Sequence, residues 1–433
     1  MSRYYLLTLG CPKNVADSRK LERLLQEAGA ASETAARADL LIVNTCSFID
    51  QAKEESINAV LRLATKKRRD QKLVVIGCLP ELYHKELIAE VPEIDHVFGV
   101  ESWTQVAELA SKTGTGRLGA TAKREAGPSA YLKVADGCNA RCAFCVIPRI
   151  KGRLHSEPIQ AVVEEAKRLA EEGAREIVLV AQDSTAYGRD VGMKDGLAGL
   201  LERLAREVPS VWLRVMYAYP GHVSLRLVQT MAGSPQVCHY LDIPLQHSSP
   251  AVLRRMRRPH NPAQTARTLE RVRNAMPDIA LRTTLMVGFP GETERDFADL
   301  LAFVRQTKFD HVGAFMFSPQ EGTAAAQMPD QLPEAVIRRR YRELMRVAQE
   351  IALEANKRWV GSELTVLVES QGGRDDAGRG MFAGRSYRDA PEVDGLVLCA
   401  GEALPGEIRR VRIVEALAYD LIGELVEDSP PSG

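Results

Sequence analysis

Between Tyr131 and Phe317 the chain repeats one unit, a short apolar run rich in branched residues followed by a stretch of helical period. Strand patterns fall at Tyr131–Ala135, Glu176–Ala181, Trp212–Tyr217, Tyr240–Ile243, Leu281–Val287 and His311–Phe317. Helical patterns lie between them at Pro158–Glu172, Leu197–Glu207, Ser224–Met231, Ala263–Ala275 and Glu294–Gln306. Such alternation is resolved by parallel strands joined through crossover helices. Six units predict a partial (β/α)6 barrel, because a closed eight-stranded one would need two more.

The flanks read differently. Toward the N-terminus, Tyr4–Thr8, Leu40–Asn44 and Leu73–Ile76 resemble buried parallel strands, with helical spacing at Val15–Ala28 and Asp50–Ala64 and a C-cap at Gly29. They predict a small parallel α/β domain. Residues 113–129, rich in Gly, Thr and Ala, read as a linker. After the barrel, Pro333–Trp359 predicts a solvated connecting helix whose arginines, Arg338 to Arg346, are balanced by glutamates. Leu364–Glu369, Met381–Gly384, Gly395–Leu398, Glu407–Ala416 and Leu421–Leu425 are short strand patterns broken by Gly, Pro and Asp, which predict a small antiparallel β-barrel. Ser429–Gly433 reads as a frayed tail. The expected class is therefore α/β, with domains at 2–112, 124–355 and 358–427.

A chain of 433 residues exceeds one ordinary core, which agrees with three domains. The 57 basic and 57 acidic residues cancel, so total charge points to no polyanion partner. No apolar run approaches the roughly 20 residues needed to cross a bilayer, and Met1–Gly10 lacks the features of a secretion signal. The expected location is the cytoplasm, where thiols stay reduced. The eight cysteines are then candidates for metal binding or catalysis rather than disulfides.

Cys138, Cys142 and Cys145 lie together in Gly137-Cys-Asn-Ala-Arg-Cys-Ala-Phe-Cys145, directly after the first barrel strand. Three thiolates at this spacing can wrap one corner of a 4Fe–4S cube from a single loop and leave the fourth iron open to a small molecule. The loop follows a strand end, which would put the cluster at the barrel's C-terminal mouth. Zinc is the alternative, but it normally takes four ligands, and the nearest histidine, His155, is ten residues past Cys145. Cys11, Cys46 and Cys78 are scattered, yet each follows a predicted parallel strand. The C-terminal ends of such strands share one crevice. These thiols would converge on a second open cluster, with Gly10 and Gly77 allowing close backbone approach; ordinary buried cysteines are the competing reading. Cys238 and Cys399 fit neither pattern.

The loop triad resembles the radical S-adenosylmethionine (SAM) superfamily, which implies a cluster that binds SAM and cleaves it to a 5′-deoxyadenosyl radical. By the same resemblance, Gln182 and Asp183, and the turn Gly288-Phe-Pro-Gly-Glu-Thr293, fall where such enzymes hold SAM. With the second triad and a C-terminal domain similar to TRAM modules, nearly the whole chain resembles the radical SAM methylthiotransferase family. That family implies two 4Fe–4S clusters and two SAM molecules, one giving the methyl group and one the radical, with sulfur delivered at the N-terminal cluster. Lys13, two residues after Cys11, could meet an anionic sulfur species or a substrate carboxylate, or simply lie on the surface.

Two branches of the family compete, one acting on a tRNA adenosine derivative and one on an aspartate of ribosomal protein uS12. Leu9–Asn14, Tyr217–Pro220, Asp242–His247 and Phe317–Gly322 resemble the ribosomal-protein branch. Where the tRNA branch more often has Pro-Val-Gln-Ser-Gly, this chain has Pro244-Leu-Gln-His-Ser248. Charge adds an independent argument. Val360–Gly433 carries 14 acidic residues against 7 arginines and no lysine, net −7. An acidic domain repels RNA and attracts a basic protein, although acidity also serves solubility. The resemblance implies as partners uS12, free or in the small subunit, a low-potential electron donor and a sulfur donor. It implies no membrane, and RNA contact only in a ribosomal setting. An electron-transfer or cluster-carrier protein is the non-enzymatic alternative.

Overall fold

The structure is a computed structural model that describes residues 2–113, 127–259, 261–374 and 378–426. Most of the expected linker and the expected tail lie outside these residues. The chain divides into two compact units. One comprises Met1–Arg124, Ala135–His155 and Ser318–Ala326; the other comprises Glu125–Val134, Ser156–Phe317 and Gln327–Gly433.

The first unit is built on a parallel sheet of order β2-β1-β3-β4-β5. Its strands are β1 (Arg3–Thr8), β2 (Ala31–Ser32), β3 (Leu40–Thr45), β4 (Lys72–Gly77) and β5 (His96–Val97). The helices are α1 (Pro12–Glu27), α2 (Asp50–Lys66), α3 (Cys78–Glu90) and α4 (Trp103–Thr113). Alternate strand residues serve opposite faces. Tyr4, Ile42, Val74 and Ile76 pack with Leu21 and Leu25 of α1 and Trp103 and Val106 of α4, while Leu41, Val43, Leu73 and Val75 pack with Val60 and Leu63 of α2 and Leu79 of α3. Burial on both faces explains why the central strands read as unbroken apolar runs. The edge strands β2 and β5 have two residues each, too few to leave a periodic signal.

The second unit begins with β6 (Ser129–Lys133). Two-residue strands β7 (Ala135–Asp136) and β8 (His155–Ser156) flank the loop triad and the short helix α5 (Ile147–Ile150) in sequence. The alternation then runs through α6 (Ile159–Glu171), β9 (Glu176–Val180), α7 (Gly196–Glu207), β10 (Trp212–Val215), α8 (Leu225–Gly233) and β11 (Tyr240–Asp242). It continues with α9 (Pro250–Arg255), α10 (Pro262–Ala275), β12 (Ala280–Val287), α11 (Glu294–Thr307) and β13 (His311–Met316). The six strands form two parallel sheets, β10-β9-β6 and β11-β12-β13. The seam between them is spanned by a Leu213–Val237 bridge and by Ala218 N–H donating to the Asp242 carbonyl at 2.8 Å. This is the expected six-stranded partial barrel. β10 stops at Val215 rather than Tyr217 because Tyr217 has φ +63°, which extended backbone excludes.

Helix α12 (Glu334–Lys357) is more than a solvated connector, since Ile337, Arg340, Leu344, Val347, Ile351 and Ala355 are buried. Beyond it, β14 (Glu363–Arg374), β15 (Gly380–Ser386), β16 (Val397–Ala400), β17 (Ile408–Ala416) and β18 (Leu421–Leu425) close into a barrel of order β14-β15-β16-β18-β17. Its pairs are antiparallel except β16–β18, which is parallel. The core includes Val366, Phe382, Val397, Val411 and Leu421.

Candidate functional site

All six candidate cysteine ligands fall in the first unit. Cys11 is the N-cap of α1, Cys46 follows β3, and Cys78 opens α3 directly after β4. Two of the three thiols therefore stand at helix N-termini, where the helix dipole favours negative charge. Cys46 and Cys78 are buried and Cys11 half-buried. Burial raises the Cys46 and Cys78 pKa values, and the neighbouring cysteines act in the same direction; Cys78 feels both Cys46 and Cys11.

Asn14 holds these three corners together. Its side-chain amide donates to the carbonyls of Leu9 (2.8 Å) and Thr45 (3.0 Å), and its Oδ1 lies 4.0 Å from the Cys78 sulfur. Asn44 in turn donates to the Asn14 carbonyl at 3.1 Å. Gly10, at φ +93°, passes so close to Cys46 that a Cβ there would stand 2.8 Å from the thiol sulfur. Gly77, at φ +97°, would put a Cβ 2.4 Å from Asn44 Oδ1. Only glycine tolerates both the conformation and the contact. Lys13 is half-buried, and its charge lowers the Cys46 pKa.

Cys138, Cys142 and Cys145 are half-buried on their loop. The Cys138 sulfur accepts from Ala140 N–H and the Cys145 sulfur from Ile147 N–H, both at 3.4 Å. Such N–H···S bonds stabilise thiolate charge and tune cluster potential. Cys78 packs against Val146 and Ile150, which follow Cys145, so the two triads share a wall. The Lys151 side chain, 4% exposed, ties the same wall electrostatically. Its ammonium sits 3.2 Å from Asp17 of α1 and 3.1 Å from Asp136, two residues before Cys138. Burial opposes the Lys151 charge, but Asp17 and Asp136 outweigh it and raise the pKa.

The Phe317–Gly322 motif has a visible role from Ser318 onward. Ser318 bonds Asp50, Arg149 donates to the Glu321 carbonyl at 2.7 Å, and Ala325 N–H donates to the Ala143 carbonyl at 2.8 Å. Ser318–Ala326 is thus a strap across the triad loop.

Among the described residues, no three His, Cys, Asp or Glu side chains are gathered closely enough to hold one metal ion. A cluster asks for something different. Each thiolate binds its own iron, so the sulfurs stand farther apart than the ligands of a single ion. An all-cysteine donor set, glycine approaches at Gly10 and Gly77, and N–H donors to sulfur fit that group.

The SAM candidates lie in the second unit. Gln182 is half-buried and Asp183 buried. Asp183 directs its carboxylate to Thr185 Oγ1 (2.5 Å) and His222 Nδ1 (2.7 Å). The Tyr219 and His222 rings lie tilted against each other with centroids 4.8 Å apart, and the Arg258 guanidinium is 4.2 Å from the Tyr219 centroid. The Gly288–Thr293 turn is clamped from several sides. Glu292 accepts from Gly288 and Phe289 N–H, Arg255 donates to the Gly291 carbonyl, and Arg340 of α12 pairs with Glu292 at 3.0 Å.

Sequence reasoning missed Asn14, Lys151, His222 and Arg340 as members of these sites. Lys151 stands in the run Arg149-Ile-Lys-Gly-Arg153, whose like charges give no local sign of a buried partner. His222 had no partner within helical or strand spacing.

The chain matches the family models of an uncharacterized protein family, UPF0004, over residues 3–99, the radical SAM superfamily over 132–304 and the TRAM domain over 360–426. It is 46% identical to ribosomal protein uS12 methylthiotransferase RimO of Roseiflexus castenholzii, over 98% of this chain and 96% of that one. The protein of that name from Chloroflexus aurantiacus is also 46% identical, covering 98% and 99%, and that from Geobacter sulfurreducens 42%, covering 97% and 98%. Among solved structures, the radical SAM methyltransferase TsrM from Kitasatospora setae superposes with a TM-score of 0.54 at 16% identity, covering 73% of this chain and 72% of that one. At that identity the likeness concerns the fold alone. With three family models in the expected order and relatives this similar end to end, the chain belongs to the RimO family of uS12 methylthiotransferases, within the radical SAM superfamily.

Proposed function

We propose that this chain methylthiolates an aspartate β-carbon of ribosomal protein uS12, using two SAM molecules and two 4Fe–4S clusters. The observation that carries the reading is the gathering of both cysteine triads in one compact unit, with Cys78 packed on the residues after Cys145. Cys138, Cys142 and Cys145 would hold the cluster that binds SAM, and Cys11, Cys46 and Cys78 the other. When bound, the first supplies the electron that cleaves SAM to a radical source and the second the sulfur to be inserted. Asn14 sets the three corners of the Cys11, Cys46 and Cys78 triad, Lys151 fixes the shared wall, and Gln182 and Asp183 are the candidate SAM-binding residues.

The net −7 of Val360–Gly433 supports a basic protein as the partner, and a ribosomal substrate fits the cytoplasm. Among the described residues no helix is long and apolar enough to cross a membrane. A low-potential electron donor and a sulfur donor complete the requirements.

The deciding measurement is mass spectrometry of uS12 from a strain lacking this gene. One aspartate should lose its SCH3 group and regain it on complementation. Unchanged uS12 with altered tRNA nucleosides would transfer the assignment to the tRNA branch. In purified protein, Cys138→Ala should abolish 5′-deoxyadenosine formation, whereas Cys46→Ala should retain it and lose sulfur insertion. Equal loss in both variants would remove the division of labour.

A further inference from the structure

In the second unit, the end of α10, the α11–β13 connection and the end of α12 enclose a cleft of about 540 Å³. It lies beside Ile279 and Asp310, which precede β12 and β13, and hence at the N-terminal end of the strands, opposite Asp183 and the Gly288–Thr293 turn. Three cations line it, Arg273, Lys308 and Arg358, together with the half-buried ring of Trp359.

The two acids of the cleft are engaged elsewhere. Asp278 meets His239 at 2.7 Å. Asp310 accepts from Leu281 N–H at 3.0 Å and from Arg388 at 3.3 Å, with Arg358 farther away at 3.6 Å. Arg273 is half-buried and donates through Nη2 to the carbonyls of Thr307 and Lys308, at 2.7 and 3.0 Å. Among the described contacts it has no carboxylate partner. Burial lowers its pKa and the charge of Arg358 adds to that, against a raising influence from Asp310. Lys308 is exposed, makes no ion pair among the described residues, and is held at φ +51°, which a non-glycine residue adopts at some cost. Two cations without a carboxylate partner among the described residues, Arg273 and Lys308, beside an Arg358 that shares Asp310 with Arg388, in a cleft with an aromatic wall, are arranged for an anion that arrives from outside.

We propose that this cleft binds the phosphate of a nucleotide, with Arg273, Lys308 and Arg358 contacting the phosphate and Trp359 forming the wall for the base. Guanidinium forks match phosphate oxygens. Aromatic rings accept any base, because every base has a π-face. The inference goes beyond the methylthiolation reading, and its test needs neither uS12 nor SAM.

The test uses Trp359 fluorescence of the full chain titrated with AMP and with a ten-nucleotide single-stranded RNA. Saturable quenching should be competed by inorganic phosphate and absent from Trp359→Phe, which retains Trp103 and Trp212. Binding should weaken about tenfold in Lys308→Gln and in Arg358→Gln, as expected for loss of one charged phosphate contact, with 5′-deoxyadenosine formation unchanged. Arg273→Lys keeps the charge and tests the fork. RNA binding tighter than AMP would assign the cleft to a nucleic-acid strand, and equal binding would assign it to a free nucleotide; either upholds the site. Quenching that persists in Trp359→Phe, resists phosphate, or is as tight in Lys308→Gln and Arg358→Gln as in the unsubstituted chain overturns it.

Discussion

The two ends of the partial barrel are built on opposite principles. At the N-terminal end each strand contributes a polar side chain, and the end of β15 of the C-terminal barrel and the loop after it satisfy them. Glu176 of β9, fully buried, meets Arg214 of β10 at 2.6 Å, Arg385 at 2.5 Å and Ser129 of β6 at 2.7 Å. Arg282 of β12 lies 3.0 Å from Asp242 and 3.2 Å from Asp394, which also accepts from Tyr240 of β11 at 2.6 Å. His311 of β13 stands 3.6 Å from both Asp389 and Asp394. At the C-terminal end, by contrast, Tyr217 and Gln246 hold positive φ, and Ser184 Oγ, His247 Nε2 and Ser248 Oγ are buried without a hydrogen-bond partner among the described residues. One end spends its polarity on itself. The other keeps polar groups unspent, as the proposed ligand-binding end would need.

The largest break in this comparison should come from Glu176→Ala, which strands Arg214 and Arg385 in the interior. Chemical unfolding should show a loss of about 3–5 kcal/mol; a change below about 1 kcal/mol would mean the network is not the lock it resembles. Acid should then dismantle the two ends in order. Burial lowers the His247 pKa to about 4, so its neutral form is favoured in the fold. The unfolded chain takes that proton first, and stability falls by a few kcal/mol between about pH 6.5 and 4. Burial would raise Glu176, but Arg214 and Arg385 outweigh it and hold the carboxyl at about 2. Its contribution is complete above about pH 4.5 and is lost as pH falls toward 2. His247→Phe should therefore flatten the upper limb of a thermal-unfolding pH profile and leave the lower limb, and the reverse result would exchange the two assignments.

Asp183→Asn, at the C-terminal end, should affect turnover more than stability. We expect 5′-deoxyadenosine formation to drop about tenfold as His222 loses a charged partner, with the unfolding midpoint nearly unmoved. A large stability loss without a kinetic effect would place Asp183 with the self-satisfied end. The smallest effect belongs to Arg346→Ala on the exposed face of α12, paired with Glu350 where both are more than half exposed. It should stay within about 0.5 kcal/mol in the same unfolding measurement.

What the sequence could reveal follows from range. The six barrel strands, the parallel N-terminal sheet and the closed C-terminal barrel were legible because local periodicity records which face is buried. The placement of the six cysteines was legible because each sits at a strand end or in one short loop. The network under the barrel was not. Glu176 and Arg385 are 209 positions apart, and a charged residue in a strand pattern carries no mark of a buried partner. Arg340 shows the same limit, reading as one of five arginines on a solvated helix while its guanidinium reaches Glu292. The parallel β16–β18 pair was hidden because alternation reports burial and not strand direction.

The strap Ser318–Ala326 and the triad loop Ala135–His155 belong to the same compact unit as the N-terminal sheet. That unit is discontinuous along the chain, and a protein is made from one end. The sheet can form soon after its strands leave the ribosome, but the wall shared by the two triads waits for Val146 and Lys151. The strap arrives only after every barrel strand has been synthesised. The order of manufacture thus makes the paired site one of the last parts of the unit to close, after the frame around it exists.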